Sequence, residues 1–424
     1  MNRRIGLLLA LFLVAGIGAC AESLDSGAAC PSLCPSQKVP ILDTLISPVL
    51  AFDSTYVGYP SRGTENGMLL ATRGDTIEVR GVVRFDTLVT YYTAVNDTSK
   101  TIVRVDSSRL RIVVDTTRAT LPASVRFELY DVDDTLALDT AAAPVLAKFT
   151  PERRIGGATY EKSLVHDTLF LPVSDSAMLS KIKAKAHLRI GIRVDGSGPV
   201  NLRVYTVESG TPAVLTYRGS QDTTVAKLTI NVASATPVGQ VDVQRDLKDY
   251  QLVAKYNMPA SGGSWMSVGG VPGRRAYLRF TIPRRFTDSA TVVRATLRLT
   301  QQPIRFGSAR DTIALHAQVG LASPQITDLR RAASIIGAPG LLVSDSLLTS
   351  PSDSGVKTFE LYSLVRAWGA QALVINPPPR SVILRASAEG TFPAEIRFFS
   401  TTAPAALRPV MRISYIPNVS YGVP

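Results

Sequence analysis

Three cysteines are the side chains whose type and spacing most directly suggest chemistry. Cys20 follows Ile17-Gly18-Ala19 at the end of an apolar run that begins after two arginines. The run, residues 5–17, is too short to cross a bilayer, and small residues precede the cysteine where a signal peptidase cuts. The pattern is typical of a bacterial lipoprotein signal, with a plain secretory signal or an uncleaved N-terminal helix as alternatives. It predicts removal of residues 1–19 and acylation of Cys20.

Acylation of Cys20 would anchor the protein to a membrane. Each methylene group buried in the bilayer contributes roughly 0.8 kcal/mol to membrane binding, and two or more acyl chains give stable anchoring. The predicted location is the cell envelope. Ala21 follows the cysteine where Asp would retain a lipoprotein at the inner membrane. The outer membrane is therefore favoured, with the protein either periplasmic or surface-exposed.

The other two cysteines, Cys30 and Cys34, flank Pro-Ser-Leu in a segment rich in Ser, Pro, Ala and Gly. An oxidising compartment permits a disulfide between them, and free thiols are an equal alternative. Two thiols without a nearby histidine or second cysteine pair make only half a zinc site. Residues 20–48 are predicted to be a flexible tether.

Histidine chemistry is weakly represented. His166, His187 and His316 have no carboxylate or nucleophile at a spacing that suggests a catalytic dyad, and each is expected to be an ordinary strand or loop residue. No nucleophile elbow and no phosphate-binding glycine loop occurs. The sequence therefore predicts a protein that is not an enzyme, with no catalytic residues and no metal centre.

Two kinds of side chain are candidates for ligand binding. Trp265 and Tyr256 flank a Ser-Gly-Gly-Ser loop and could stack on a sugar ring, although a Trp at a strand start also covers core ends. Arginines on the polar phase of strands, including Arg294 and Arg298, could pair bidentately with carboxylate or phosphate. A solvated outer face is the alternative for these arginines, since exposed sheet faces need polar residues. The arginines assigned to outer faces are Arg109, Arg111, Arg189, Arg193, Arg203, Arg279, Arg294, Arg298 and Arg397.

Two acidic segments could supply oxygen ligands to calcium, which is the only cofactor considered. They are Asp131-Val132-Asp133-Asp134 and Asp195-Gly196-Ser197-Gly198. Neither has the ordered carboxylate spacing of a known calcium loop. Turns favoured by Asp and Gly are the simpler interpretation.

The elements that must position these residues are mostly strands. In residues 108–114, period two places Leu110, Ile112 and Val114 on one face and arginines on the other. Such alternation is typical of a strand with one buried face. The clearest helical pattern runs from Leu361 to Ala370, where apolar residues share one face.

An internal repeat organises these strands. Val83-Arg84-Phe85 matches Leu278-Arg279-Phe280, and Leu215-Thr216-Tyr217 matches Ile413-Ser414-Tyr415. The matches occur in the same order at offsets between 187 and 198 residues. We therefore predict an all-β chain with two tandem antiparallel jelly-roll-like β-sandwiches and a short helix, in residues 49–219 and 245–417. Residues 220–244 are predicted to be a linker that could add a strand of its own. Residues 418–424 form a tail.

The second copy resembles a known family. Met266-Ser267-Val268-Gly269-Gly270, residues 275–280, residues 292–299 and Leu361–Trp368 are similar to successive motifs of the DNRLRE domain, as are the closing strands in 381–400. The first copy keeps the order but has a reduced helix, 177–182, without the Trp. The resemblance implies a jelly-roll-like accessory module of secreted and surface proteins, some of which bind carbohydrate. No catalytic module accompanies it here.

Composition limits the partners. The formal net charge is +12, and removal of the two signal arginines leaves +10. Nucleic acid is not expected as a partner once the chain has been exported, so the charge indicates acidic polysaccharide, lipopolysaccharide phosphates or no particular partner. We expect a lipid-anchored, non-catalytic binding module. The alternatives are a structural or assembly component of an envelope complex with no small ligand, and an accessory protein of a separate hydrolase.

Overall fold

A computed structural model describes residues 41–60, 62–94, 98–133, 142–233, 247–257, 263–304, 311–320, 346–370 and 380–418. The predicted signal and all three cysteines, Cys20, Cys30 and Cys34, lie outside the described residues. Residues Asp43–Pro424 belong to one compact unit. None of the helices in the described ranges has the length and apolar character needed to span a membrane.

The described chain is built mainly of antiparallel strands. In its first half they are β1 (Leu42–Ile46), β2 (Leu50–Tyr59), β3 (Met68–Arg73), β4 (Ile77–Phe85), β5 (Tyr91–Thr93), β6 (Ser99–Thr101), β7 (Asp106–Thr120), β8 (Ser124–Asp131), β9 (Arg154–Glu161), β10 (Thr168–Pro172), β11 (Leu188–Gly196), β12 (Val200–Val204) and β13 (Val214–Arg218). In its second half they are β14 (Leu228–Asn231), β15 (Asp249–Tyr256), β16 (Trp265–Gly269), β17 (Gly273–Phe280), β18 (Ala290–Gln302), β19 (Ile313–Gly320), β20 (Leu347–Thr349), β21 (Gly355–Glu360), β22 (Ser381–Ala386), β23 (Glu395–Phe399) and β24 (Val410–Pro417). The α-helices are short: α1 (Ala142–Leu146), α2 (Asp175–Ala184), α3 (Arg284–Thr287) and α4 (Tyr362–Ala370).

The strands form two networks of eleven, each folded around its own hydrophobic core. The first sandwich has the order β14-β13-β7-β12-β3-β4-β11-β8-β9, with β10 on β7 and β15 on β4. The second has the order β1-β24-β18-β23-β16-β17-β22-β19-β20, with β21 on β18 and β2 on β17. The predicted all-β class with two antiparallel sandwiches is confirmed.

The two orders correspond strand for strand, as the repeat predicts. Phe85 ends β4 and Phe280 ends β17, which occupy the same place in their networks, and Tyr217 and Tyr415 lie in the equivalent strands β13 and β24. In β7, Leu110, Ile112 and Val114 are buried, in agreement with the predicted alternation. The two cores are therefore built from equivalent strands.

The pairing of four strands differs from the predicted division of the chain. Strands β1 and β2 begin the first half but pair with β24 and β17 of the second sandwich, whereas β14 and β15 begin the second half but pair with β13 and β4 of the first. Each half thus supplies its first two strands to the sandwich formed by the other. The boundaries at 49 and 245 miss this exchange because alternation assigns a strand's buried face but not its partner strand.

Two segments without a clear period are strands as well. Leu42–Ile46, placed by prediction in the tether, is β1, and the predicted linker contains β14, the strand that it could add. Strand β1 pairs with β24 from the far end of the chain, which local pattern does not reveal, whereas β14 pairs with the preceding strand β13.

The helices cover the ends of the cores. In α4, Leu364, Val365 and Trp368 are buried at helical spacing, and the Trp368 ring centre lies 5.4 Å from that of Phe280. In the first half, α2 takes the equivalent position and buries Met178 and Ile182. This helix is longer than the 177–182 segment expected from the sequence.

Candidate functional site

A cavity of about 430 Å³ lies between the two sandwiches and is lined by residues of both. The first sandwich contributes Asp115 and Arg118 from β7 and Arg203 from β12, while the second contributes Arg275 from β17 and Arg385 from β22. The turn after β22 adds Glu389 and Phe392. We call this the junction cavity; four of its lining side chains are arginines, against two carboxylates.

One arginine of the junction cavity is held rigidly by a buried ion pair. Arg275 Nε donates to Glu389 Oε1 at 2.8 Å and Arg275 Nη2 donates to Glu389 Oε2 at 2.6 Å. Both side chains are buried. A bidentate pair of this kind fixes the plane of the guanidinium and neutralises its charge.

A second arginine is positioned by the first sandwich. Arg203 donates to the Asn66 carbonyl oxygen at 2.9 Å and to Asp115 Oδ2 at 3.3 Å. Burial raises the pKa of Asp115, but hydrogen bonds from Thr117 and Arg203 outweigh it, so the pKa is lowered overall. Gly67 makes room for this arginine, since a Cβ there would lie 2.3 Å from Arg203 Nε.

The other two arginines supply positive charge that no described carboxylate neutralises through an ion pair. The exposed Arg118 places its guanidinium carbon 5.6 Å from the centre of the Phe392 ring. Arg385 has a buried Nε without a hydrogen-bond partner among the described residues. Burial lowers the pKa of Arg385, the charge of Glu389 raises it and Arg275 lowers it, with a net lowering. Arg118 and Arg385 therefore face the junction cavity as cations without an ion pair, beside Arg203 and Arg275, which are paired with carboxylates.

Sequence reasoning missed this site. The strands and loops that line the junction cavity are dispersed along both halves of the chain. Of its arginines, only Arg203 was among those assigned to outer faces. The alternation in β12 indicated that Arg203 lies on a polar face. It could not indicate the cavity, because the cavity forms only where the two sandwiches pack together.

The predicted aromatic pair is engaged in a polar cluster. Glu395 accepts hydrogen bonds from Arg274 at 2.8 Å, Arg397 at 2.8 Å and Ser267 at 2.7 Å. Tyr256 donates to the same carboxylate at 3.3 Å. Burial raises the pKa of Tyr256. One carboxylate thus connects strands of both sandwiches.

Each ring of the pair has an arginine on one face. The Arg397 guanidinium carbon lies 5.3 Å from the Trp265 ring centre, and that of Arg274 lies 5.0 Å from the Tyr256 ring centre. A sugar could stack only on the opposite faces. Sugar stacking at Trp265 and Tyr256 stays a prediction.

The predicted outer-face arginines divide into two groups. Arg294 is exposed and its Nε donates to Glu360 at 3.1 Å, and Arg298 is partly exposed. Arg189 and Arg397, however, are buried, which corrects their assignment to solvated faces.

Arg189 is buried because further elements cover its sheet. Its Nε donates to Asp86 at 3.1 Å, and the same carboxylate accepts from the buried Arg84 at 2.7 Å. Nearby, Val82, Tyr130 and Val132 pack against Val145 and Leu247 in a separate apolar cluster. Period two identifies the polar phase of a strand but not a second layer above it.

The acidic segments considered for calcium are partnered by cations. Lys181 Nζ lies 3.0 Å from both Asp131 Oδ2 and Asp133 Oδ2, and Arg126 donates to Asp195 at 2.7 Å. No group of three or more metal-ligating side chains occurs among the residues the structure describes. Calcium binding stays a prediction.

The histidines occupy separate places. His166 is exposed and its Nδ1 lies 3.3 Å from Asp167, His187 lies 3.4 Å from Arg189, and His316 pairs with Arg385 across β19 and β22. Burial, assisted by Arg385, lowers the pKa of His316.

Comparison with known proteins adds no functional information. No protein-family model and no curated protein matches the chain. Solved structures that align with it include the T13 particle of infectious bursal disease virus, at 11% identity over 89% of this chain and 74% of that chain, with a TM-score of 0.15. The Gx strain of the same virus aligns at 13% identity over 90% and 78%, also with a TM-score of 0.15. TM-scores this low do not establish a shared fold or a shared function.

Proposed function

We propose that this protein is a non-catalytic binding protein whose junction cavity holds an anionic ligand, and that this ligand is part of an acidic polysaccharide. The observation that carries the proposal is the pair Arg118 and Arg385, which face the cavity without a described carboxylate partner. A guanidinium pairs bidentately with a carboxylate such as that of a uronic acid. The volume, about 430 Å³, is in the usual range of ligand pockets.

The fixed neighbours support the same chemistry. Arg203 and Arg275 are held by carboxylates and define two walls, so binding would order few additional side chains. Phe392, beneath Arg118, also lines the cavity but is buried in the core of the second sandwich. Charge and rigidity together suit an acidic ligand better than a neutral one.

Binding of the full chain to alginate and pectate, with a neutral glucan as reference, tests this proposal. We expect Arg118→Gln combined with Arg385→Gln to weaken binding about tenfold or more, because a hydrogen bond to a charged group contributes roughly 1.5–3 kcal/mol. Arg294→Gln, on the exposed face, is the matched control and should bind like wild type. Affinity should also fall with salt, since charges are screened within about 8 Å at physiological ionic strength.

Two results would contradict the proposal. Equal loss in the Arg294→Gln control would place binding on the outer face. Absence of binding to all three polymers would favour a structural or assembly role in an envelope complex.

We further propose that the protein is a lipid-anchored member of the DNRLRE family in the bacterial cell envelope. The motif around Cys20 supports the anchor, and the motifs of the second half support the family. Cys20→Ser should move the protein from the membrane fraction to the soluble fraction and abolish labelling by a fatty-acid probe. Retention of the variant in membranes, with no label on wild type, would contradict the anchor.

A further inference from the structure

His316 lies beside an arginine of the junction cavity. It pairs with Arg385 in the antiparallel register of β19 and β22. Side chains of directly opposite residues share one face of a sheet, with Cβ atoms about 4.5–5.5 Å apart. Leu315 and Ala317, on either side of His316, are buried in the core of the second sandwich. His316 and Arg385 therefore share the face that points away from this core, where Arg385 lines the junction cavity.

The charges that act on Arg385 are already two cations against one carboxylate when the arginine itself is counted. Arg275 repels Arg385, and Glu389 attracts it. Glu389 is engaged in the buried bidentate pair with Arg275, which limits what it can offset elsewhere. On the other side of β19, the paired strand β20 contributes only Leu and Thr side chains. A proton on His316 would therefore add positive charge next to an arginine that has no ion pair in the described chain.

Arg385 disfavours the protonated form of His316. Burial lowers the pKa of His316, and the positive charge of Arg385 lowers it further. The interaction is reciprocal, so anything that changes the charge at Arg385 also changes the protonation of His316. An anion bound to Arg385 would offset the arginine and would favour the imidazolium form of His316. The pKa of His316 should therefore rise when an anion occupies the junction cavity.

We propose that His316 takes up a proton from water when an anionic ligand binds beside Arg385, so that the junction cavity binds this ligand more tightly in mildly acidic than in neutral solution. The neutral imidazole becomes an imidazolium, and the positive charge of the site increases by one. Histidine suits this role because its ordinary pKa lies close to neutrality. His316 is partly exposed, so protons reach it from solvent.

This linkage rests on the proposed function of the junction cavity and adds a dependence on pH. The affinity should rise as the pH falls through the interval between the pKa of His316 in the free protein and its higher pKa in the complex. A rise of about half a unit to one unit on binding corresponds to about three- to tenfold in affinity.

The coupling between the two residues is tested first without a ligand. An NMR titration of the histidine-labelled full chain gives the pKa of His316, whose signal is assigned with His316→Gln. Arg385→Gln should raise this pKa, because a repelling charge is removed. His166, exposed and next to Asp167, is the control in the same spectra and should titrate as in wild type. An unchanged pKa of His316 in Arg385→Gln would overturn the proposal.

The same titration with a soluble oligomer of pectate tests proton uptake on binding. A saturating concentration should raise the pKa of His316 by about half a unit or more and leave that of His166 unchanged. An equal rise for both histidines would indicate a general effect of the polyanion and would overturn the proposal. An unchanged pKa of His316 in a complex that does form would overturn it as well.

Calorimetry of the full chain with this oligomer from pH 5 to pH 7 measures the consequence for affinity. Wild type should bind about three- to tenfold more tightly at pH 5 than at pH 7. His316→Gln should lose most of this dependence, whereas the matched control His166→Gln should keep it. Equal pH dependence in wild type and His316→Gln, or binding by wild type that does not depend on pH, would overturn the linkage alone. Absence of binding at every pH would contradict the proposed function, and the linkage with it.

Discussion

At the scale of single residues, the chain buries an unusual amount of charge and compensates most of it locally. Arg84 and Arg189 share Asp86 in the first sandwich, while Arg274 and Arg397 share Glu395 in the second. A buried ion pair rarely adds much net stability, but removal of one partner leaves an unpaired charge in a medium of low dielectric. Substitution of one partner in either cluster is therefore expected to destabilise the fold.

Two buried carboxyls have no comparable arginine partner among the residues that the structure describes, and they provide a pH prediction. Burial, with Glu208 and Asp249 nearby, raises the pKa of Glu65 to about 8, against the hydrogen bond from the Gly63 backbone nitrogen. Burial and Glu208 likewise raise the pKa of Asp249 to about 7, although Lys248 and the Val207 backbone nitrogen oppose this. Between about pH 4 and these values the folded chain binds more protons than the unfolded chain. The free energy of unfolding should therefore fall as the pH rises through this window, by up to about 1.4 kcal/mol per pH unit and group.

Urea denaturation of Glu65→Gln and wild type between pH 5 and pH 9 measures this effect. The variant should lose less stability as the pH rises, because one of the two groups no longer releases a proton. Glu161→Gln, an exposed substitution in β9, controls for the exchange of side chain itself. A wild-type stability that increases from pH 5 to pH 8 would be incompatible with these two protonated carboxyls.

At the scale of elements, local pattern predicted what local forces determine. The alternation of residues 108–114 identified β7 and its buried face, and the spacing of Leu361, Leu364 and Trp368 identified α4. Period two and period 3.6 report directly which side chains are buried together. The order of matched motifs also predicted two networks with equivalent strands.

What the sequence left open depends on distant partners. Strand β1 has little alternation and is defined by pairing with β24 at the far end of the chain. The junction cavity unites Arg118 with Phe392, which no spacing rule connects. Arg189 follows the polar phase of β11 and is nevertheless buried, because Leu247 and neighbouring apolar residues cover that region. The alternation of polar and apolar residues along a strand is a local property. Which layer covers a sheet face and which strands pair are properties of the whole fold.

At the scale of the whole molecule, the exchange of strands makes each half dependent on the other. The second sandwich needs β1 and β2 from the start of the chain, and the first needs β14 and β15 from beyond its own half. The junction cavity lies where the sandwiches meet, and Val271 of the second half is fully buried among Leu69 and Val79 of the first. Ligand binding at the junction would therefore stabilise the contact between the halves, by mass action on the folded state.

The same topology decides which fragments of the chain fold alone. Residues 62–257 contain every strand of the first sandwich from β3 to β15, whereas residues 49–219, the division expected from the repeat, lack β14 and β15. Without them, Val82 and Val132 lose the covering side chains of Leu247 and Tyr250 and would be exposed to water. Fully burying such a side chain contributes about 1.5–3 kcal/mol. Exposure of several of them would therefore remove a large part of the free energy of unfolding of a typical domain. We expect 62–257 to be soluble and to unfold cooperatively by circular dichroism, and 49–219 to aggregate or to melt without a transition. Cooperative unfolding of both fragments at the same temperature would show that the exchanged strands are dispensable for the first sandwich.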